Sequence, residues 1–329
     1  MQIHKKRQRF LLILIIFFIL AMFLSLSHGT ARTSLKDLWS FVFQGNQTHS
    51  TIFQIRLSRA ILAFLVGASL SLSGAILQGY FQNPMAGPFV VGVSSGASFG
   101  AVLSLQLGLT FRFMGISFQS VFAFASGFAI VYLVYLLSQR KGVFKVETLL
   151  LTGIAAGALA SALTSFLIFL KSDSYEQAVF WLLGSFYLAD WKQVSAILPY
   201  FGLCFIVAQW LAKDMNLLVL GDETAQSLGC PVKRMRKIFL ALSTLLAASA
   251  VSVSGIIGFI GLIVPHWVRL LIGPDHKYLF FYSLFTGGIF LVFSDFLARS
   301  LLPASELPIG IITAVVGAPF FIYLLNQRR

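Results

Sequence analysis

A chain of 329 residues that is 58% hydrophobic and only 11% charged, with a mean hydropathy of +0.88, carries more apolar surface than a soluble domain of this size could bury, which excludes a soluble globular fold. Its formal net charge of +13 does not argue for nucleic acid as a partner, because the basic residues of a membrane protein gather in its cytoplasmic loops. The two cysteines, Cys204 in an apolar run and Cys230 in a polar one, form neither a CxxC pair nor a zinc pattern, so neither a disulfide nor a metal site is indicated.

The apolar runs have the length of membrane spans, since a bilayer core of ~30 Å takes roughly 20 residues of helix. In lipid the backbone must satisfy its own hydrogen bonds, as helices or as a closed barrel. These runs are apolar all round, without the alternation of barrel strands, so an all-α polytopic membrane protein with a single transmembrane domain is expected. The first span is 10–27, behind the basic start Lys5-Lys6-Arg7-Gln8-Arg9. Small residues at Ser27-His28-Gly29-Thr30-Ala31 would suit leader cleavage, but the run is long for a leader and is read as a retained helix. After an external segment 28–58, spans fall near 60–81, 89–109, 116–138, 147–170 and 194–212, and beyond a polar interlude near 238–272, 279–298 and 308–325.

The stretch 238–272 is too long for one ordinary span and barely long enough for two. Gly255, Gly258, Gly261 and Pro265 within it allow tight turns and close helix contacts. Two spans bring the total to about ten and leave both termini on one side; one span leaves the termini opposed. Ten spans with a cytoplasmic N-terminus put about twice as many Lys and Arg inside as outside, and the single-span alternative lowers that bias only slightly.

The interlude 213–237 has a start and a stop. Asp222 after Gly221 suits an N-cap, Glu223 suits the positive end of a helix, Gly229 is placed to end it, and Pro231 blocks continuation. Leu217 and Leu220 precede this short helix; Ala225 and Leu228 lie on it. Lys233, Arg234, Arg236 and Lys237 then open the next span, opposing its dipole but holding its end on the cytoplasmic side. Two readings stay open from spacing alone: an ordinary loop with a turn of helix, or a docking helix on the membrane face offered to a cytoplasmic partner.

An ordered set of stretches from Arg56 to the C-terminus resembles the FecCD family, the permease subunits of ABC importers for iron–siderophore, haem and cobalamin. It comprises Arg56-Leu57-Ser58-Arg59, Gly67 to Gly74, Gln78, Asn83 to Pro88, Leu150 to Ala155, Trp181 to Ser185, and Leu220-Gly221 with Ala225 and Leu228-Gly229. It continues with Gly258 to Leu262, Pro265-His266, Arg269, Asp275-His276-Lys277, Asp295 with Arg299, Glu306 to Gly310, and Gly317 to Phe320. The resemblance implies the type II importer permease fold, with ten helices per subunit. It implies a bacterial cytoplasmic-membrane protein working as a homodimer or beside a paralogous permease, with two cytoplasmic ATPase subunits and an extracytoplasmic substrate-binding protein. Cargo would be an iron chelate (siderophore or haem) or cobalamin.

By that resemblance, Leu217, Leu220, Gly221, Asp222, Glu223, Ala225, Leu228 and Gly229 couple to the ATPase, and Arg56, Arg59 and Arg299 receive acidic residues of the binding protein. Basic residues flanking spans can equally be plain anchors. Asp295, four residues from Arg299, is spaced to pair with it. Gly153, Ala156, Gly157 and Ala160 on span 147–170 would line the path at the dimer axis; small residues also serve close helix packing. The chain has no GxxxxGK[ST] segment and no Gly-Lys pair, so ATP is expected on a partner subunit and no cofactor or catalytic residue in this chain. The alternative is a stand-alone secondary transporter or channel. Against it, only Asp295 and the boundary Glu147 are acidic within the expected spans, where ion-coupled carriers usually need such groups.

Overall fold

The computed structural model describes residues 2–27, 50–109, 111–113, 116–140, 143–144, 146–171, 175–302 and 305–326. Among them are thirteen helices: α1 Gln2–Ser27, α2 Ser50–Tyr80, α3 Val93–Gln106, α4 Phe118–Ser138, α5 Val146–Leu170, α6 Tyr175–Leu183, α7 Trp191–Trp210, α8 Ala212–Leu218, α9 Asp222–Ser227, α10 Val232–Ser254, α11 Ile260–Ile272, α12 His276–Ser300 and α13 Ile309–Asn326. Two antiparallel two-residue ribbons, β1–β2 (Arg112–Phe113 with Ile116–Ser117) and β3–β4 (Gln139–Arg140 with Val143–Phe144), bracket α4.

Seven helices (α1, α2, α4, α5, α7, α10 and α12) are long and apolar enough to cross a membrane, and with the shorter α3, α11 and α13 the expected ten are present. The bounds move in ways that physics accounts for. The first helix begins at Gln2, because nothing in 2–9 breaks it, and α2 takes in residues 50–58 of the supposed external segment; residues 28–49 lie outside the described residues. Only 14 residues of the expected span 89–109 are helical, because turns at 81–92 carry Pro84, Pro88 and the left-handed Gly92 (φ 89°). The stretch 238–272 is indeed divided. Helix α10 takes in the basic tail and ends at Gly255 (φ 70°), and α11 starts after Phe259 (φ 67°). With 13 residues, α11 is about 20 Å long, short of a full crossing.

The core is a post of three helices. The apolar window of α2 is 89% buried and those of α10 and α12 72%, against 17–28% for α1, α4, α5 and α7. Without water to drive association, helices in lipid adhere through close packing. Along α2 a Cβ on Gly67 would lie 2.3 Å from the Gly287 carbonyl oxygen of α12, and one on Gly74 only 1.7 Å from that of Gly261 in α11. Two of the serines between them are satisfied across the seams: Ser71 Oγ donates to Ser283 O and Ser73 Oγ to Ser243 O, each at 2.8 Å.

A second convergence lies at the α10–α11 break. Ser185 N–H donates to Ser254 O at 2.8 Å and Ile309 N–H to Gly184 O at 3.0 Å. Residues 184–186, 254–257 and the start of α13 thus meet at one place.

Candidate functional site

Two charged constructions stand at opposite ends of α2. The first is the α8–α9 element. Helix α9 is only six residues long and cannot hold itself in water, so its ends carry the stability. Gly221 (φ 103°) is its N-cap residue and uses no side chain. At the other end Gly229 N–H donates to Gln226 O and Cys230 N–H to Ala225 O, both at 3.0 Å, which is the Schellman arrangement around a left-handed Gly229 (φ 86°). The expected stop is found.

The expected start is displaced by one residue. Asp222 is the first helical residue, and its carboxylate receives Arg236 Nε at 3.0 and 3.1 Å. Arg236 is buried on α10 and also donates from Nη1 to Tyr80 O at 2.9 Å. One buried guanidinium therefore ties α9 to the C-terminal carbonyl of α2, where a free carbonyl would otherwise be left. Gln82 Nε2 adds a bond to Leu218 O at 2.8 Å.

On this fastened element Ala225 is fully buried and Leu217 half-buried, while Leu220 and Leu228 are 59% and 58% exposed beside exposed Glu223. With Val219 beside them, the two leucines are the apolar groups it offers outward. Cys230 is buried beside Asp214, and burial first, then that carboxylate, pushes its thiol above the ordinary range. A thiol so placed is inert.

The second construction gathers Arg56 and Arg59 of α2, Asp295 and Arg299 of α12, and Glu306. Arg59 straddles both carboxylates. Its Nη2 is 2.9 Å from Asp295 Oδ1 and its Nη1 2.9 Å from Glu306 Oε2. Arg299 Nε meets Asp295 Oδ2 at 3.1 Å, the pairing their four-residue spacing anticipates. Leu307 N–H donates to Ala298 O at 3.1 Å and brings Glu306 back over α12.

Arg56 and Arg299 also close α1. Arg56 Nη1 donates to Leu26 O and Arg299 Nη2 to Ser25 Oγ, both at 2.8 Å. Helix α1 has no basic residue in its own last turn; two cations from other helices supply the partners its terminal carbonyls require. All three arginines predicted to face outward are thus brought together, but they are largely buried and engaged within the chain. Sequence reasoning did not find Glu306 as a partner of Arg59. The scarcity of acids, 11 against 24 Lys and Arg, was the available signal.

On α5, Gly153, Gly157 and Ala160 are buried, and Ala156 is partly buried against the core. A Cβ on Gly153 would lie 2.8 Å from Val90 O, and one on Gly157 3.4 Å from Ser95 Oγ. Within the chain these residues serve close packing on 90–95 and α3. The open face of α5 runs instead through Ile154, Ala155, Ala158, Ser161 and Ala162.

The profile of the FecCD transport family matches residues 14–327, and the chain belongs to that family: it is a membrane-spanning permease subunit of an ABC importer. It is 46% identical over 275 residues to the cobalamin import system permease BtuC of Halobacterium salinarum, covering 84% of this chain and 73% of that one. It is 39% identical over 329 residues to the iron(3+)-hydroxamate import system permease FhuG of Bacillus subtilis, covering 97% and 96%. Among solved structures, an inward-facing metal-chelate type ABC transporter superposes with a TM-score of 0.86 at 33% identity, covering 97% of this chain and 99% of that one. For an ABC permease, ATPase subunits, a substrate-binding partner and a dimeric arrangement follow in general from the family.

Proposed function

We propose that this chain, as a homodimer in a bacterial cytoplasmic membrane with both termini inside, imports an iron chelate or cobalamin. Two cytoplasmic ATPase subunits bind the ATP and drive it, and an extracytoplasmic binding protein delivers the cargo. The relatives' named cargoes, cobalamin and iron(3+)-hydroxamate, support that substrate class. In this reading the chain holds no ATPase site of its own and carries out no covalent step. Differential binding of ATP next door shifts the two subunits between inward- and outward-open states.

The observation that carries the reading is the α8–α9 element: a short helix too small to stand alone, fastened through Arg236 to α2, presenting Leu220 and Leu228 outward. Two exposed leucines on a rigid mount suit the groove of a partner better than they suit water. Leu217, Gly221, Asp222, Glu223, Ala225 and Gly229 shape that mount. The Arg56–Arg59–Arg299 end is assigned to the binding protein. With its donors engaged inside the chain, it shapes and charges the docking face, with half-buried Glu306 at the rim. The open face of α5 is assigned to the path at the dimer axis, about 150° around the helix from Gly153, Ala156, Gly157 and Ala160.

The test is Leu228→Asp in the complete complex. The variant is expected to keep its melting temperature, since the side chain is solvent-facing, and to lose the ATPase subunits on purification. Full co-purification of the ATPase with a Leu220→Asp, Leu228→Asp double variant overturns the assignment of this element.

A further inference from the structure

The coupling element has a second fastening, at the start of α12. Asn216 of α8 sits against the N-terminus of α12. Its Nδ2 donates to Asp275 Oδ1 at 2.9 Å, and its Oδ1 accepts from His276 N–H at 2.9 Å and stands 2.7 Å from His276 Nδ1. The donor to Asp275 fixes the amide's orientation, so His276 carries a proton on Nδ1. Asp275 is itself the N-cap of α12, accepting from Lys277 N–H at 3.1 Å.

One side chain therefore meets the cap residue, the first helical amide and the first helical side chain of α12. Beside it, the positions a Cβ on Gly79 would approach are Met215 Sδ at 2.6 Å and His276 Nε2 at 2.8 Å. Helix α8 is thus wedged between α2 and the start of α12, with His276 buried in the junction.

Helix α12 is unbroken over 25 residues, about 37 Å of rigid rod. Its far end carries Asp295 and Arg299, the two groups that hold Arg59 and the end of α1. Fastening α8 to one end of this rod links the coupling leucines to the arginine–carboxylate cluster at the other.

We propose that Asn216 is a positioning residue for transport: it locks the α8–α9 element to the N-terminus of α12, so that movement imposed on that element reaches the Arg59–Asp295 cluster through α12, and the reverse. This rests on the assignment of α8–α9 to the ATPase and of the Arg59 end to the binding protein. Linkage requires the communication to run both ways, which gives a readout that a merely structural role would not move: stimulation of ATP hydrolysis by the binding protein.

The experiment uses the full complex in lipid vesicles. Asn216→Asp keeps both acceptor bonds from His276 but sets a carboxylate against Asp275. Assembly and basal hydrolysis are expected to stay within about twofold, and stimulation by the binding protein to fall about tenfold, within the usual range of coupling between sites. Asn216→Asp with Asp275→Asn reverses donor and acceptor across the 216–275 contact and removes the facing carboxylates. Because Asp275 Oδ1 also accepts from Lys277 N–H, the new amide turns its nitrogen to residue 216 and its oxygen to Lys277 N–H, as a good N-cap residue can, and stimulation is expected to return. Unchanged stimulation in assembled Asn216→Asp overturns the proposal. So does a double variant that stays unstimulated or fails to assemble, and where the single variant does not assemble, the double variant alone decides. The outcomes separate the layers. Full co-purification of the ATPase with the Leu220→Asp, Leu228→Asp double variant speaks against the α8–α9 assignment itself, whereas normal wild-type stimulation with an indifferent Asn216 removes only the positioning role.

Discussion

At one end of α2, Arg56, Arg59 and Arg299 face Asp295 and Glu306, and almost all of this charge is turned into the protein. At the other end a single buried guanidinium, Arg236, holds Asp222 and the Tyr80 carbonyl, and among the polar side chains turned outward stand the apolar Leu220 and Leu228. The first end spends charge on joining α1, α2 and α12; the second spends one ion pair on a mount and leaves its surface free. The difference follows from what must be satisfied. Asp295, 1% exposed, cannot be left ionised and alone inside the bundle, whereas Asp222, 48% exposed, could be solvated without help and is used to place a short helix.

The sharpest way to break the comparison is at Arg59. Arg59→Ala takes from Asp295 and Glu306 the cation that stands 2.9 Å from each, and breaking a buried pair by removing one partner costs about 3–5 kcal/mol. Arg59→Glu adds a third carboxylate and is expected to prevent folding, seen as loss of a monodisperse peak and of a melting transition in detergent. If Arg59→Ala melts like the wild type, the cluster is a docking surface only and not a joint.

A smaller effect is expected at the other end. Arg236→Ala frees Asp222 into water but strands the Tyr80 carbonyl, so the loss is about 1–3 kcal/mol, the ion pair itself adding little because Asp222 is half in solvent. Hydrogen exchange should rise over 220–230 with the α2–α12 seam unchanged. Exchange that spreads along α2 would mean the mount is part of the core.

The unequal burial of the two ends also marks what could be read from the sequence. The apolar spans and the Gly229 stop were legible, because hydropathy and glycine act locally; the stretch 238–272 stayed open between one span and two until the family resemblance favoured two. The short α3 and the half-span α11 were not, since the apolar runs continue through 89–92 and 255–259 and hydropathy does not register the left-handed turns at Gly92 and Phe259. The partners of Arg59 escaped for a different reason. Asp295 lies 236 positions away, and spacing rules see only three or four. Gly153 and Gly157 had two readings, packing or lining, and only the approach of 90–95 decides which they serve within the chain.

The finest test concerns the rim of the charged end. Glu306 is 21% exposed, and Glu306→Gln keeps an acceptor for Arg59 Nη1 while removing the charge. Arg59 retains Asp295, so the loss in stability should be at most about 1 kcal/mol. The electrostatics change more than the packing. Three arginines face two carboxylates in the wild type and one in the variant. A partner presenting acidic residues should then associate several-fold faster at low salt, because steering acts on the rate of encounter, and the gain should vanish as ionic strength rises and the screening length falls to about 8 Å. Surface plasmon resonance with the binding protein at two salt concentrations reads this directly. A slower rate in the variant would mean that Glu306 itself meets a cation on the partner, and the polarity assigned to this end would have to be reversed.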